Sequence, residues 1–175
     1  WEPEKTEATV HTSTPPEPGS AIEVVAFREI AAEQREEYLP LVGELAAGEA
    51  YVGFLIDSLE NAEDCDWVRV PRRLCGKNRF VVRIAGDSMS PTLNKGDLVV
   101  FEYHRHPREQ NQVVIAALAE FGTSAAGEMT ESVKRLKETE DAWQFVPDNS
   151  DYAPFAIPKA ETEYPILGTM VASLA

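Results

Sequence analysis

Short apolar runs separated by turn residues fill the sequence from Leu41 to the C-terminus, and this pattern limits the fold more than any other feature. The runs "WVRVP", "RFVVRIAG", "DLVVFEYHRH" and "NQVVIAALAE" alternate or are continuously apolar, which is typical of strands. "SVKRLKE", "AWQFVPDNSDY" and "YPILGTMVASL" continue the series without a long helical period. Closely spaced short strands predict a mostly β domain over residues 41–175, strongly twisted and partly barrel-like.

The first 40 residues differ in composition. Residues 1–20, "WEPEKTEATVHTSTPPEPGS", are rich in Pro, Glu, Thr and Ser, and such a segment buries too little apolar surface to fold alone. We predict a flexible acidic, Pro-rich linker there. Residues 21–40 are interpreted as a connecting segment. Its Ala- and Glu-rich middle predicts a short helix from about Phe27 to Tyr38, ending before Pro40.

The net charge of −14 is concentrated at one end of the chain. Residues 1–66 carry 16 acidic and 3 basic side chains, whereas residues 67–175 carry 14 and 13. Binding of nucleic acid through its phosphates needs clustered Lys and Arg, so we do not expect this chain to do so through its own surface.

The sequence has no run near the roughly 20 apolar residues of a membrane span, and it does not open on a signal-peptide pattern. Without a secretory signal, Cys65 and Cys75 are interpreted as free thiols. Because the chain begins at Trp1 rather than Met, we expect a fragment or a processed product. These features indicate a soluble cytoplasmic protein that does not contact a membrane.

The segment "GDSMSP" places Ser88 on a tight turn between two strand-like runs. A plain turn explains these residue types, and so does a serine nucleophile, which would need a base elsewhere in the chain. In the second case, the backbone amides of Asp87 and Ser88 are candidates for an oxyanion hole. Met89 is expected to pack in the core.

Histidine is scarce as a partner for this serine. His11 lies in the linker, and His104 and His106 share a strand face with Glu102. A zinc site needs three or four converging ligands, so an exposed strand face is the favoured interpretation. We predict neither a metal nor a cofactor.

Lysine is the other candidate base. In an extended "ESVKRLKETE", Lys134 shares a face with Leu136, which predicts an inward orientation. Burial lowers the pKa of a lysine and so favours its neutral form. Periodicity alone also permits, and indeed favours, a lysine at a sheet edge whose stem covers apolar surface.

Three ordered motifs, "GDSMSPTLNKGDLVVF", "SVKRLK" and "FVPDNSDYAPF", together resemble the LexA-like self-cleaving peptidases from about Leu41 to the C-terminus. The resemblance implies a Ser–Lys dyad with Ser88 as the nucleophile and Lys134 as the general base. "PLVGELAAGEAYVGF" is similar to the cleavage region of this family, which implies a cut between Ala47 and Gly48 by the same molecule. The segment "EFGTSAAGEMTE" is longer than the usual hairpin of the family, and the acidic insertion 57–66 has no role that we can assign.

The implied function is that of the peptidase domain of a transcriptional repressor, which cuts itself in a DNA-damage or stress response. The implied partners are an activated RecA filament and a second copy, with an exposed strand around "YPILGTMVASL" as the homodimer edge. DNA would be bound only through an N-terminal domain outside this chain. Two alternatives remain open. One is a UmuD-like accessory subunit of translesion synthesis, and the other is a type I signal peptidase-like enzyme, whose motif is close to "SMSPTL".

Overall fold

A computed structural model of the protein describes residues 22–45, 61–103, 106–119, 129–161 and 165–174. Ten strands of this part of the chain form a single sheet. They are β1 (Val24–Ala26), β2 (Tyr38–Leu45), β3 (Asp66–Arg69), β4 (Arg79–Ile84), β5 (Leu98–Tyr103), β6 (Val113–Ala119), β7 (Met129–Glu138), β8 (Ala142–Val146), β9 (Phe155–Pro158) and β10 (Ile166–Ser173). The prediction of a mostly β domain is therefore confirmed.

The strands follow the order β1-β3-β2-β4-β5-β10-β6-β7-β8-β9 across the sheet. β2 and β4 run parallel, and the other neighbouring pairs are antiparallel. The sheet is not closed into a barrel: β1 and β9 lie at its two ends. The connecting segment 21–40 supplies β1 and the start of β2, so it takes part in the same sheet as the downstream residues.

The single helix predicted from Phe27 to Tyr38 is wrong. Two short 3-10 helices, Phe27–Glu29 and Ala32–Glu37, occupy the segment instead, and Tyr38 already belongs to β2. Neither N-cap residue, Ala26 or Ala31, has a side chain that can accept a hydrogen bond from the first turn. Between them Ile30 is extended and only 4% exposed. Burying Ile30 thus interrupts the helix that local propensity favours.

The prediction that the C-terminal strand is an exposed edge is also wrong for most of its length. β10 lies in the middle of the sheet, where Ile166–Thr169 pair with β6 and Gly168–Ser173 pair with β5. A Cβ at Gly168 would lie 3.1 Å from the carbonyl oxygen of Glu102, so a glycine suits the close approach of β10 to β5. Beyond Thr169, β10 pairs with β5 alone among the strands described.

Buried side chains form clusters that fix the two segments bearing the candidate residues. One cluster joins β2, β4, β5, β6 and β7 with the link that follows β4. Its members are Val42, Phe80, Val82, Ile84, Met89, Leu93, Val99, Phe101, Val113, Ile115 and Val133. A second cluster packs β6, β7, β8, β9 and β10 together around Phe145. β7 therefore contributes to both clusters, and its position relative to the β4–β5 link is determined by packing.

Two further predictions concern the chemistry of the chain as a whole. Cys65 and Cys75 do not form a disulfide in the structure, as expected. Within the residues that the structure describes, no helix has the length and apolar character needed to cross a membrane.

Candidate active site

Ser88 lies in the link between β4 and β5, and the two apolar residues that follow it in the link hold this turn in place. Met89 and Leu93 are almost fully buried, and the amide of Leu93 donates to the carbonyl of Met89 over 2.9 Å. The expectation that Met89 packs in the core is confirmed. Because Met89 is anchored, Ser88 is held at the border of the core, with 5% of its surface exposed.

The far end of the link is closed by a glycine turn. Gly96 has a φ of +94°, a conformation that favours glycine, and its amide donates to the carbonyl of Ile84 over 2.6 Å. The carboxylate of Asp97 accepts a 2.8 Å bond from the amide of Asn94. These contacts place the start of β5 beside the end of β4. The link that carries the Ser88 turn is therefore held at both ends.

Lys134, on β7, reaches this turn from the other side. Its Nζ lies 2.9 Å from Ser88 Oγ, 2.8 Å from Ser132 Oγ and 3.0 Å from the carbonyl oxygen of Val133. Only 6% of Lys134 is exposed, and Leu136 is buried as well. The inward orientation predicted from strand periodicity is confirmed, and the alternative of a lysine at a sheet edge is not observed.

The electrostatic surroundings of Lys134 make its ammonium easier to deprotonate. Burial lowers the pKa of Lys134 from 10.5 to about 8. In the part of the chain that the structure describes, no carboxylate lies within ion-pair distance of its Nζ. Removal from water is thus not offset by a counter-charge, and the amine loses its proton more readily than an exposed lysine does.

The three contacts of Lys134 suit an ammonium, which can donate to all three oxygens, and they also suit a neutral amine, which has two N–H donors and one lone pair. The oxygens of Ser132 and Val133 can accept the two N–H bonds, and the lone pair then faces the hydroxyl of Ser88. A serine hydroxyl within 3 Å of a neutral amine can be deprotonated as it attacks a carbonyl carbon.

The backbone around Ser88 is held by a second loop, which follows β8. The carbonyl of Ser88 accepts a 3.0 Å bond from the amide of Asn149, and the carbonyl of Asp87 accepts bonds from the amide of Ser90 and the side chain of Asn149. The amides of Asp87 and Ser88 themselves have no acceptor among the described residues. They therefore stay candidates for an oxyanion hole, as predicted from the sequence.

Several residues of the site were not predicted from the sequence. Ser132, Arg135, Asp148, Asn149 and Tyr152 surround the Ser88–Lys134 pair or its supporting loop. The hydroxyl of Tyr152 donates to the carboxylate of Asp87, and this hydrogen bond raises the pKa of Tyr152. The motif "FVPDNSDYAPF" pointed to the right segment, but nothing in it specifies which distant turn the segment contacts.

Other predicted site residues are placed apart or not described. Ala47, Gly48 and His104 lie outside the described residues. Glu102, considered above as a metal ligand, forms a 3.0 Å ion pair with Arg79. No three His, Cys, Asp or Glu side chains in the described ranges are grouped so that they would hold a metal ion.

A serine hydroxyl beside a buried lysine amine is an arrangement that a serine hydrolase could use, as a variant of the serine–histidine–aspartate arrangement. A family model described as Peptidase S24-like matches residues 40–171, which is most of the 175-residue chain. The chain therefore belongs to the Peptidase S24-like family of serine peptidases, and the resemblance to LexA-like and UmuD-like self-cleaving peptidases is confirmed.

Proposed function

We propose that this protein is the self-cleaving peptidase domain of a LexA-like transcriptional repressor, and that it cuts its own Ala47–Gly48 bond with a Ser88–Lys134 dyad. The observation that carries the proposal is the 2.9 Å approach of Lys134 Nζ to Ser88 Oγ, with both groups buried. Family membership supports the reaction class, and the small side chains of "LAAGEA" suit a segment that enters a narrow cleft.

The reaction begins when neutral Lys134 accepts the proton of the Ser88 hydroxyl. Ser88 Oγ then bonds to the carbonyl carbon of Ala47, and the amides of Asp87 and Ser88 donate to the resulting oxyanion. The Ala47–Gly48 C–N bond breaks as the Lys134 ammonium gives its proton to the amine of Gly48. A water molecule, deprotonated by Lys134, hydrolyses the ester between Ala47 and Ser88 and regenerates the hydroxyl.

Cleavage within one molecule means that such a site needs little substrate-binding affinity. A tethered substrate has a high effective concentration, so the rate depends on how often the cleavage segment occupies the cleft. An activated RecA filament would act by favouring the occupied conformer, which is a shift of population without any new chemistry.

The proposed consequence of the cut is loss of repression. Separation of a DNA-binding domain from a dimerising domain removes the two-site binding that gives a repressor its affinity. For the homodimer, the part of β10 beyond Thr169 is the candidate contact, because it pairs with β5 alone among the described strands.

The experiment is incubation of the purified chain at pH values from 6 to 10, followed by intact-mass measurement of the products. We expect a fragment that begins at Gly48, formed faster as the pH rises toward 9. Ser88→Ala and Lys134→Ala should abolish it, whereas Ser90→Ala, on the same turn, should still cut. A fragment starting at Gly48 from either of the first two variants would reject the dyad.

A further inference from the structure

Arg135, the residue after Lys134 in β7, forms a two-pronged contact with a loop on the other side of the strand. Its Nε donates to Asp148 Oδ1 over 2.6 Å and its Nη2 donates to Asp148 Oδ2 over 2.8 Å. Its Nη1 also donates to the carbonyl of Asn111 over 2.9 Å. A planar guanidinium bonded at three points fixes both the distance and the orientation of the groups it joins.

The carboxylate of Asp148 is well shielded, since 14% of its side chain is exposed, against 31% for Arg135. Burial acts to raise the pKa of Asp148, but the hydrogen bonds from Arg135 and Thr92 outweigh it and hold the pKa below its ordinary value. Thr92 belongs to the same link as Ser88. Both carboxylate oxygens of Asp148 therefore accept bonds from Arg135 on β7, the strand that carries Lys134. Asp148 is also hydrogen-bonded to Thr92, in the link that carries Ser88.

Asn149 continues the connection to Ser88. Its backbone amide donates to the carbonyl of Ser88 over 3.0 Å, and its side-chain amide donates to the carbonyl of Asp87 over 3.1 Å. The two residues of the 148–149 turn thus face in different directions, Asp148 toward β7 and Asn149 toward the Ser88 turn.

We propose that Asp148 and Asn149, with Arg135, form a clamp whose role is to position Ser88 Oγ against Lys134 Nζ. The contacts make a closed ring: Ser88 to Lys134, Lys134 to Arg135 through the chain, Arg135 to Asp148, and Asn149 back to Ser88. The three clamp residues do not touch the reacting atoms, so they are positioning residues. The inference rests on the proposed function of the Ser88–Lys134 pair.

The clamp is needed because the pair itself is joined by a single hydrogen bond between segments 46 residues apart. A misplacement of about 1 Å in a catalytic group costs on the order of 10²-fold in rate. A looser turn would also admit water beside Lys134, and the effect of burial on its proton affinity would diminish. Loss of the clamp should therefore slow the reaction and make Lys134 more basic.

The first test is Asp148→Asn, which keeps the shape of the side chain but removes its charge. We expect the plateau rate of self-cleavage at high pH to fall by about tenfold or more. Glu138→Gln is the matched control: it breaks the 2.7 Å ion pair between Glu138, also on β7, and Lys159, away from Ser88. Its plateau rate should stay within about twofold of the parent value.

The second test measures the pKa of Lys134 directly and does not depend on cleavage. In protein labelled with ¹³C at lysine Cε and carrying Gly48→Pro to prevent the cut, NMR follows the titration of Lys134, and its signal is assigned by its loss in Lys134→Met. We expect the midpoint to move from about 8 toward 10.5 in Asp148→Asn and in Asn149→Ala, and to stay unchanged in Glu138→Gln. Should either clamp variant fail to fold, Arg135→Lys, which loses the fork but keeps the charge, takes its place.

The outcomes separate the two proposals. If the unsubstituted chain never yields a fragment beginning at Gly48, the proposed function fails, and the titration still decides on the clamp. If that chain cuts and the Lys134 midpoint is the same with and without the clamp, the positioning role is overturned whatever the rates are. A raised midpoint, with the control unmoved, supports it.

Discussion

Lys134 and Arg135 are adjacent cations on one strand, yet they have opposite environments. Lys134 is buried among neutral oxygens, and burial lowers its pKa to about 8. Arg135 faces the other way and forms a two-pronged ion pair with Asp148. The alternation of a β-strand is what allows two neighbouring residues of like charge to have such different surroundings.

The difference shows that burial and the counter-charge together decide what a cation on this strand does. A lysine without a carboxylate partner can give up its proton and serve as a base. An arginine beside a carboxylate keeps its charge and fastens two segments together. The type of side chain at each position matches its role, because only lysine has a pKa that burial can bring near neutrality.

The largest effect is expected when the two side-chain types are exchanged one at a time, which tests whether each role requires its own residue type. Lys134→Arg keeps a cation near Ser88 but supplies a guanidinium that does not deprotonate, so self-cleavage should fall by about 10³-fold or more. Arg135→Lys keeps a charge beside Asp148 and loses only the fork, so the rate should fall by no more than about tenfold. Time courses at pH 9 with intact-mass detection measure both.

An arginine at position 134 that still supports cutting at a rate near that of the parent would mean that a neutral amine is not required. In that case, the base would have to be sought elsewhere in the site. Circular dichroism melts of the two variants are the control for folding.

A smaller effect is expected on stability, in the Ser88→Ala background where no cut occurs. The pKa of Lys134 is about 8 in the folded protein and about 10.4 in an unfolded chain. Below pH 8 both states hold the proton, and the folded state bears the full cost of burying it. Between pH 8 and 10.4 only the unfolded state keeps the proton, so the free energy of unfolding of the parent rises with pH.

Lys134→Met removes this dependence and fills similar volume. Its stability relative to the parent should be most favourable near pH 6–7 and should decline by about 2–3 kcal/mol by pH 10.5. Urea unfolding at pH 6, 8 and 10.5 measures the change, with the exposed β7 position Lys137→Met as a matched substitution. A difference that does not vary with pH would contradict a desolvated Lys134.

The sequence predicted those parts of the molecule that depend on local pattern. Period-two alternation identified the strands and the inward side of Lys134, and the turn residues around Ser88 located the link between β4 and β5. The same logic did not predict that Val133, on the opposite face, is also buried, because both faces of β7 are covered here. A local sequence pattern predicts on which face of a strand a side chain lies, but not whether other segments cover that face.

The parts that could not be predicted are those decided by contacts between distant segments. The 148–149 turn meets the Ser88 turn across some 60 residues of sequence, and neither motif encodes that encounter. Likewise, the apolar pattern of β10 suggested an exposed edge, whereas its pairing with β5 and β6 is settled by the order of strands in the sheet. Likewise, the helix expected over residues 27–38 is interrupted at Ile30, because that residue is extended and buried.

The smallest effect concerns the ion pair on the Arg135 side. Because the pKa of Asp148 is lowered in the folded protein, the pair contributes stability above the unfolded value of about 3.9, and the contribution is lost as the pH falls through the folded pKa. In the Ser88→Ala background, Arg135→Gln should therefore lower the free energy of unfolding by about 1–2 kcal/mol at pH 7 and by less at pH 3, measured by urea unfolding. Lys159→Gln, which breaks the more exposed pair with Glu138, should cost at most about 1 kcal/mol. An Arg135→Gln deficit equally large at pH 3 would mean that the arginine stabilises the loop through packing and its bond to Asn111, without a contribution from the charge of Asp148.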